Sequence, residues 1–224
     1  MPLVDYDTNT FDYFTKIKPN IIHGSILDYG SNCGRFLHFS KEQIDPTGYT
    51  GIDIDKAAIE EGSNLYPTAN WIYYPGYNPM YNSKGITNFR FELPRLYDTI
   101  ISYSVLSHTS IDDFFQTIDW LYQHLAPNGS MLITYLNVKN LVLKSRFIAK
   151  RFRDFGSCDQ IETDTFTYLV DNKIKDNPED DRYLLLFINP DYLINKLSLY
   201  EVELISPDNK TFQDCILIKR DARI

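Results

Sequence analysis

The sequence predicts an α/β fold built on a mostly parallel sheet. Short apolar runs that end at turns, such as SILDYG, GYTGIDID and YDTIISYSV, alternate with stretches of helical periodicity such as IDDFFQTIDWLYQHL. This alternation implies right-handed crossovers between parallel strands, with helices on both faces of the sheet. The chain has 224 residues, of which 43% are hydrophobic and 23% charged, a balance that suits a sizeable core. We therefore expect residues 1–224 to form a single domain.

The first part of the chain supplies five predicted strands. SILDYG is a short buried strand, and CGRFLHFSKEQI follows it with helical character. GYTGIDID and KAAIEEGSNLY repeat this order of strand and helix, and NWIYY is a third short strand. Residues 75–95 are rich in Pro, Asn and Gly, which predicts a loop. The series ends with the strand YDTIISYSV, the amphipathic helix IDDFFQTIDWLYQHL, the turn APNG and the strand SMLITYL.

The alternation ends after Asn137. Residues 139–155 have the pattern of another helix, and a polar stretch ending in KDNPEDD follows them. RYLLLFI is a predicted strand. NPDYLINKL is a predicted helix, because Asn189 is a favourable cap and Pro190 suits the first helical position. YEVELIS and DCILIKR are two closing strands.

Charge and cysteine content limit the partners and compartments that we consider. The net charge is −8, from 22 basic and 30 acidic residues, and an acidic chain is repelled by nucleic acid. Cys33, Cys158 and Cys215 are odd in number and widely spaced, which predicts neither disulfides nor a zinc site and fits a reducing cytoplasm. The acidic, aromatic N-terminus is unlike a signal or transit peptide, and no apolar run approaches the roughly 20 residues that span a bilayer. We expect a cytoplasmic protein.

One loop carries the strongest functional signal. In ILDYGSNCGRF, residues 26–36, an apolar run leads to Asp28 and then to Gly30 and Gly34. A glycine-rich turn between a strand and a helix brings backbone N–H groups close to a ligand. Nicotinamide-binding folds have Gly-x-Gly-x-x-Gly here, and an acid two residues before the first glycine would face their pyrophosphate unfavourably. The acid suits a ligand with cationic groups and no phosphate, a description that fits S-adenosylmethionine.

A second acid supports this interpretation. Asp53 ends the second predicted strand, and a carboxylate at that edge of the sheet can accept hydrogen bonds from both ribose hydroxyls. Asn32 lies in the middle of the turn, where positive φ is often required, and Asn tolerates positive φ better than most residues. We therefore predict a left-handed conformation at Asn32.

Together these motifs resemble class I S-adenosylmethionine-dependent methyltransferases. ILDYGSNCGRF is similar to their first motif, commonly Asp-x-Gly-x-Gly-x-Gly, YTGIDID to the second, YDTIISYSVLSH to the fourth, and LAPNGSMLITY to the next strand. The order is similar over residues 20–137, and YEVELIS with DCILIKR resembles the closing antiparallel hairpin. YNPMYNSKG and YDTIISYSVLSH are most similar to bacterial enzymes of the small-molecule and glycan type. The resemblance implies a Rossmann-like, seven-stranded, mostly parallel sheet, with a lid over residues 138–180.

The resemblance also implies roles for individual residues. Asp28 would anchor the loop and face the methionine end of the cofactor. The methionine and ribose would be lined by Gly30, Ser31, Asn32 and Gly34. Asp53 would hold the ribose, with Ile54 against the adenine, and the amino-acid moiety would contact Ser102 and Tyr103. The chain departs from the family where YYPGYNP replaces an acid that commonly lies near the adenine.

His108 is the candidate general base. It follows the fourth strand, at the carboxyl edge where parallel sheets bind ligands, and an unperturbed imidazole has a pKa of about 6.5. The alternative is that His108 only shapes the pocket. The remaining histidines are expected outside the site: His23, His38 and His124. Metal-dependent relatives place an acid at the end of strand four, where this chain has Ser102 and Tyr103, so we predict that no metal takes part.

The predicted function is transfer of a methyl group to an O or N atom of a small-molecule acceptor, such as a sugar or a secondary metabolite. Two alternatives are a nicotinamide-dependent oxidoreductase and a non-catalytic S-adenosylmethionine-binding protein. The sequence leaves the acceptor and the oligomeric state open.

The predicted helix after strand five has a cationic face. At 100° per residue, KNLVLKSRFIAKRFRDF brings together Lys139, Arg146, Lys150 and Arg153. Such a face on an acidic protein predicts an anionic acceptor, such as a phosphorylated or carboxylated sugar, or contact with anionic lipid. The alternative is a solvated helix face.

Overall fold

The computed structural model describes residues 9–40, 42–78, 81–87, 89–140, 145, 158–171, 183–206 and 213–222. Its helices are α1 (Thr10–Ile17), α2 (Arg35–Ser40), α3 (Lys56–Leu65), α4 (Ile111–Gln123) and α5 (Pro190–Lys196). Its strands are β1 (Ile26–Tyr29), β2 (Tyr49–Asp53), β3 (Asn70–Tyr73), β4 (Tyr97–Ser102), β5 (Leu125–Asn137), β6 (Cys158–Glu162), β7 (Phe166–Asp171), β8 (Tyr183–Ile188), β9 (Glu201–Ile205) and β10 (Asp214–Lys219). Short 3₁₀ turns lie at Pro46–Gly48 and Leu106–His108.

Seven of these strands form the predicted sheet. Strands β3, β2, β1, β4 and β5 lie side by side in this order and pair in parallel. Strand β10 pairs antiparallel with β5, and β9 pairs antiparallel with β10. The Rossmann-like sheet with an antiparallel C-terminal hairpin is therefore confirmed. Because β1, β2 and β4 run in the same direction, their carboxyl ends meet at one edge.

Three further strands extend the sheet beyond the predicted seven. Strands β6, β7 and β8 pair antiparallel in succession, and β8 pairs in parallel with the end of β5 through Leu136–Phe187 and Asn137–Ile188. The strand in RYLLLFI is predicted by the sequence, whereas β6 and β7 fall in the segment predicted only as a polar stretch. Strands β6 and β7 pair with each other as consecutive strands, and β7 also pairs with β8 across the polar stretch, so the polar composition of the segment did not reveal them.

The sheet is covered on both faces, as its continuous apolar strands require. On one face, α4 contributes Phe114 and Ile118 to a cluster with Ile100 and other strand residues. On the other face, α1 and α2 contribute to a second cluster, which contains the neighbouring strand residue Ile101. Successive side chains of a strand point to opposite faces, so β4 serves both clusters.

Of two local predictions, the cap of α5 is confirmed and the turn APNG is wrong. The cap of α5 is confirmed, because the Asn189 side chain accepts a hydrogen bond from the N–H of Asp191 and Pro190 opens the helix. The predicted turn APNG is wrong as an interruption, because strand β5 runs through it from Leu125 to Asn137. Asn128 has φ 62° within this strand, and the register with β4 shifts beside it.

Most of the predicted helix over 139–155 lies outside the described residues, and so do Arg146, Lys150 and Arg153 of its cationic face. Lys139 is described, and its Nζ lies 2.7 Å from a carboxylate oxygen of Asp191. Within the part of the chain that the structure describes, every helix is too short or too polar to cross a membrane.

Candidate active site

A cavity of about 620 Å³ opens at the carboxyl edge of the parallel strands. Its walls come from the segments that follow β1, β2 and β4, together with α1 and the segment after β3. Eight of the residues predicted to form the site line it: Asp28, Gly30, Ser31, Asn32, Asp53, Ile54, Tyr103 and His108. The fold therefore brings together residues that are up to 80 positions apart in the chain.

The turn after β1 has the strained backbone that its sequence predicts. Asn32 has φ 51°, and Gly30 and Gly34 have φ 83° and 94°. The left-handed conformation predicted for Asn32 is confirmed. A Cβ atom at Gly30 would lie 2.0 Å from Cγ2 of Val105, so only glycine fits there. The turn is anchored to β2, since the N–H groups of Gly30 and Ser31 donate to the carbonyl of Ile52 at 2.8 and 3.0 Å.

Asp28 lies at the floor of the cavity and is nearly shielded from solvent. Its side chain is 5% exposed, and its Oδ2 accepts a 2.6 Å hydrogen bond from the Tyr49 hydroxyl. Burial raises the pKa of Asp28 to about 7, and the hydrogen bond from Tyr49 and the nearby charge of Arg35 oppose this increase. A buried carboxyl group of this kind gains most from a cationic ligand, which would stabilise its charged form.

Asp53 connects the turn to the end of β2. Its Oδ2 accepts from the N–H of Asn32 at 2.7 Å, and its Oδ1 accepts from the N–H of Asp55 at 2.8 Å. Burial raises the pKa of Asp53, and these backbone hydrogen bonds oppose the increase. Each carboxylate oxygen has a second lone pair, so both oxygens can still accept hydrogen bonds from a vicinal diol.

His108 also lines the cavity, at the end of the 3₁₀ turn Leu106–His108. The amide of Asn78 donates to the carbonyl of His108 at 2.9 Å, and the Tyr81 ring meets the imidazole edge to face at 5.6 Å. Asn78 and Tyr81 belong to the segment after β3, which also lines the cavity. The half-buried imidazole therefore faces the cavity between two neighbours that hold it in place.

The sequence profile of a family described as a methyltransferase domain matches residues 10–168. The chain belongs to this family. The match begins at α1 and includes the turn after β1, Asp53 and His108. The prediction of a methyltransferase is therefore confirmed, and the comparisons lend no support to an oxidoreductase or to a non-catalytic protein.

Solved methyltransferase structures share the fold at low sequence identity. An S-adenosylmethionine-dependent methyltransferase from Clostridium acetobutylicum ATCC 824 has a TM-score of 0.58 and 12% identity, over 97% of this chain and 93% of that one. The sugar N-methyltransferase KedS8 from Streptoalloteichus sp ATCC 53650 has a TM-score of 0.57 and 11% identity, over 97% and 89%. DesVI from Streptomyces venezuelae has a TM-score of 0.56 and 13% identity, over 94% and 88%. No curated protein matches the chain.

Two predicted residues of the methyltransferase site do not line the cavity. Gly34 lies behind the turn, where an added Cβ would come within 2.9 Å of the Trp71 ring. Ser102 is 1% exposed at the end of β4 and does not line the cavity, whereas its neighbours Ile101 and Tyr103 do. Gly34 is therefore needed for the shape of the turn, and alternation along the strand turns Ser102 away.

The other histidines lie away from the cavity, as predicted. His124 is buried between the N–H of Leu93 and the carbonyl of Trp120, at 3.1 and 2.9 Å. His23 and His38 are exposed. Among the described residues, no group of three or more His, Cys, Asp and Glu side chains is placed to hold a metal ion.

The sequence interpretation missed three contributions to the methyltransferase cavity. Helix α1 provides Thr10 and Phe14, and α2 provides Arg35. The segment after β3 was predicted only as a loop, yet it folds back on itself, with the N–H of Ile86 donating to the carbonyl of Pro75 at 2.8 Å. The aromatic residues of the N-terminal sequence are a signal that could have indicated a buried helix. No local signal indicated that the segment after β3 would contact the 3₁₀ turn Leu106–His108.

Proposed function

We propose that the protein binds S-adenosylmethionine in the 620 Å³ cavity and transfers its methyl group to an O or N atom of a small-molecule acceptor. One observation carries this proposal. Two carboxyl groups, the buried Asp28 and the half-buried Asp53, lie near the ends of adjacent strands and line one cavity, with the left-handed turn between them. A ligand with a cationic amino-acid end and a ribose would satisfy both of them.

The cofactor would lie along the turn. In this arrangement the ammonium group faces Asp28, the ribose hydroxyls bond to Asp53, and the adenine packs against Ile54. Gly30, Ser31 and Asn32 bring the backbone close to the ligand, and Tyr103 contacts the amino-acid end. Gly34 and Ser102 act through the shape of the turn and of strand β4, without direct contact.

The bound cofactor supplies an electrophilic methyl group on its sulfonium. The protein holds the acceptor in line with this methyl and excludes water, and such positioning can lower a barrier by about 7–11 kcal/mol. His108 would accept the proton that an acceptor hydroxyl or amine loses. Its place on the cavity wall and its restraint by Asn78 and Tyr81 support this role. The chemistry as proposed requires no metal.

The class of acceptor follows from the family and the structural neighbours. KedS8 is a sugar N-methyltransferase, CalS10 an amino pentose methyltransferase and MtfA a glycopeptide N-methyltransferase. These relatives support a sugar or another small molecule, and the net charge of −8 disfavours nucleic acid. An anionic acceptor remains a proposal that depends on the predicted cationic face.

Two further features belong to this proposal. Residues 138–180 would form a lid over the acceptor within a single domain. In support of this position, the strand β8 that follows the segment pairs with the end of β5, at the carboxyl edge of the sheet. A cytoplasmic location is supported by Cys33 and Cys215, which are buried thiols outside any disulfide.

Calorimetric titration with S-adenosylhomocysteine tests the cofactor site. The wild type should bind saturably, and Asp53→Ala should weaken binding by at least about 1.5 kcal/mol, the scale of hydrogen bonds to a charged group. Asp98→Ala is the matched control, because Asp98 also accepts hydrogen bonds from a backbone N–H and a hydroxyl, both of Ser25, yet does not line the cavity. Wild-type protein that fails to bind would contradict the proposed function, and equal affinity in Asp53→Ala would remove the ribose assignment.

A further inference from the structure

Ser104 has a strained backbone conformation on the wall of the cavity. It lies two residues after β4, lines the cavity and has φ 60°. A residue other than glycine in the left-handed region costs free energy, and such residues persist where the surrounding structure fixes them, often at ligand sites. Glycine adopts this conformation without that cost. A serine at this position therefore indicates a use for its hydroxyl group.

The surrounding fold holds Ser104 by its backbone and by its side chain. The N–H of Ser104 donates to Oγ1 of Thr134 in β5 at 2.7 Å, and its Oγ accepts from Nε2 of Gln213 at 2.8 Å. Both partners are buried, Thr134 with 0% and Gln213 with 8% exposure. Gln213 is itself fixed, because its carbonyl accepts a hydrogen bond from the hydroxyl of Tyr13 in α1 at 2.8 Å. The Ser104 hydroxyl thus has the supporting contacts that a binding group requires.

The contact with Gln213 decides what the Ser104 hydroxyl can offer to a ligand. A serine hydroxyl has one hydrogen and two lone pairs. Because the Gln213 amide donates into one lone pair, the hydroxyl can donate its own hydrogen and accept one further hydrogen bond. Donation by the amide also polarises the hydroxyl and strengthens it as a donor. The group that matches both functions is another hydroxyl, which can accept and donate in return.

Ser104 is supported from the side of the sheet that lies away from the cofactor turn. Strand β4 separates β1 and β2 from β5 and β10, and the partners of Ser104 belong to β5 and to the residue before β10. The proposed cofactor lies along the turn after β1 and at the end of β2. His108 follows Ser104 in the same connection, where its N–H donates to the carbonyl of Val105 at 3.0 Å. A ligand group at Ser104 therefore shares a wall with the candidate base and belongs to the acceptor.

We propose that Ser104 binds a hydroxyl group of the acceptor near the atom that receives the methyl group, and that Gln213 is the positioning residue that orients Ser104. The acceptor is then a polyhydroxylated molecule such as a sugar, and not an apolar amine or a phenol without a second hydroxyl group. This inference rests on the proposed function and narrows its class of acceptor. Ser104 contributes binding and orientation, whereas His108 retains the proton transfer.

The first test is the chemical structure of the product. Wild-type protein is incubated with methyl-labelled S-adenosylmethionine and a small-molecule extract of its source cells, and mass spectrometry with NMR identifies the labelled products. We expect a free hydroxyl group on a carbon next to the carbon that bears the methylated atom. Labelled products without such a hydroxyl group would overturn the inference. Protein that binds S-adenosylhomocysteine but labels nothing would instead contradict the proposed methyl transfer.

The second test compares that acceptor with its analogue in which the neighbouring hydroxyl group is replaced by hydrogen. Ser104→Ala removes the serine hydroxyl and keeps the backbone strain, and Ser104→Gly removes both. Each variant should lower kcat/KM for the acceptor about five- to tenfold, the scale of one hydrogen bond. For the deoxy analogue, kcat/KM of both variants should stay within about twofold of the wild type, and so should the Kd of S-adenosylhomocysteine.

Two further variants separate positioning from packing. Gln213→Met keeps the length of the side chain but cannot donate a hydrogen bond. It should lower kcat/KM for the acceptor less than Ser104→Ala does, with no further effect when the two substitutions are combined. Asn128→Gly is the matched control for backbone strain, because Asn128 has φ 62°, is exposed and does not line the cavity. Its substitution should leave kcat/KM unchanged.

The kinetic outcomes are distinct. Equal loss of kcat/KM on the acceptor and on its deoxy analogue would overturn the inference, because Ser104 would then only shape the wall. Weaker binding of S-adenosylhomocysteine in both Ser104 variants would also overturn it and assign the hydroxyl to the cofactor. Additive effects of Gln213→Met and Ser104→Ala would remove the positioning role of Gln213. If Ser104→Ala does not fold, Ser104→Gly gives the same comparison of the two acceptors.

Discussion

Replacing Asp28 with Asn should change how folding and cofactor binding depend on pH. Asn has nearly the same shape and can still accept the hydrogen bond from the Tyr49 hydroxyl, so the substitution removes mainly the ionisation. In the free protein, burial raises the pKa of Asp28 from 3.8 to about 7. The folded protein therefore holds one more proton than the unfolded chain between about pH 4 and pH 7.

The effect on stability follows from this difference in bound protons. Because the folded pKa lies above the unfolded one, the free energy of unfolding falls as pH rises, by about 1.4 kcal/mol per pH unit within this window. The loss is complete just above pH 7. Between pH 5.5 and pH 8 it amounts to about 2 kcal/mol, which Asp28→Asn should not show. Urea unfolding of both proteins at the two pH values measures the difference.

Cofactor binding should also depend on the protonation of Asp28. A rise in pH, which lowers the stability of the free protein, should strengthen binding. An ammonium group beside Asp28 favours the carboxylate, so binding should release the proton that the free protein holds. At pH 6 the release should be about 0.9 proton, and at pH 8 about 0.1. Below pH 7, Kd should therefore fall up to about tenfold for each unit by which pH rises.

Calorimetry in buffers with different ionisation enthalpies counts these protons directly. Asp28→Asn corrects for the titration of the ligand's own amino group and of Asp53, whose pKa is also raised by burial. The reasoning is refuted if wild type and Asp28→Asn release the same number of protons at pH 6. It is also refuted if their stabilities change in parallel between pH 5.5 and pH 8.

Three further predictions concern the turn, the base and the metal. Asn32→Ala should be less stable than Asn32→Gly by about 1–2 kcal/mol in urea unfolding, because only Gly adopts positive φ freely, and equal stability would show that the turn relaxes. His108→Ala should lower kcat by about 10²–10⁴-fold and abolish a limb of the pH–rate profile while leaving the Kd of S-adenosylhomocysteine unchanged, and an unchanged kcat would reduce His108 to a packing role. Activity should persist in EDTA, and activity that is lost in EDTA and restored by magnesium would contradict metal independence.

The central fold and part of the site could be predicted because their signals are local. Apolar runs that alternate with helical periodicity specify parallel strands, and parallel strands bring Asp28 and Asp53 to one edge. A turn that requires positive φ strongly restricts which residues can occupy it. The Asn at position 32 was therefore enough to predict a left-handed conformation there. Asn189 and Pro190 likewise marked the start of α5 with signals only one or two residues long.

The remaining features depended on contacts between distant residues. Nothing within α1 indicates that Thr10 would reach the cavity, because its position is set by aromatic packing against α2. Strand β7 pairs with β8 across the whole polar stretch, and this pairing adds the β6–β7 hairpin to the sheet. Gly34 and Ser102 were assigned from motif positions, and only the packing around them shows that they do not line the cavity. The sequence by itself determined the order of the strands of the central sheet and the two carboxyl groups, because periodicity and turn chemistry are local. Tertiary structure decided which side chains share the cavity, because burial and proximity depend on the whole chain.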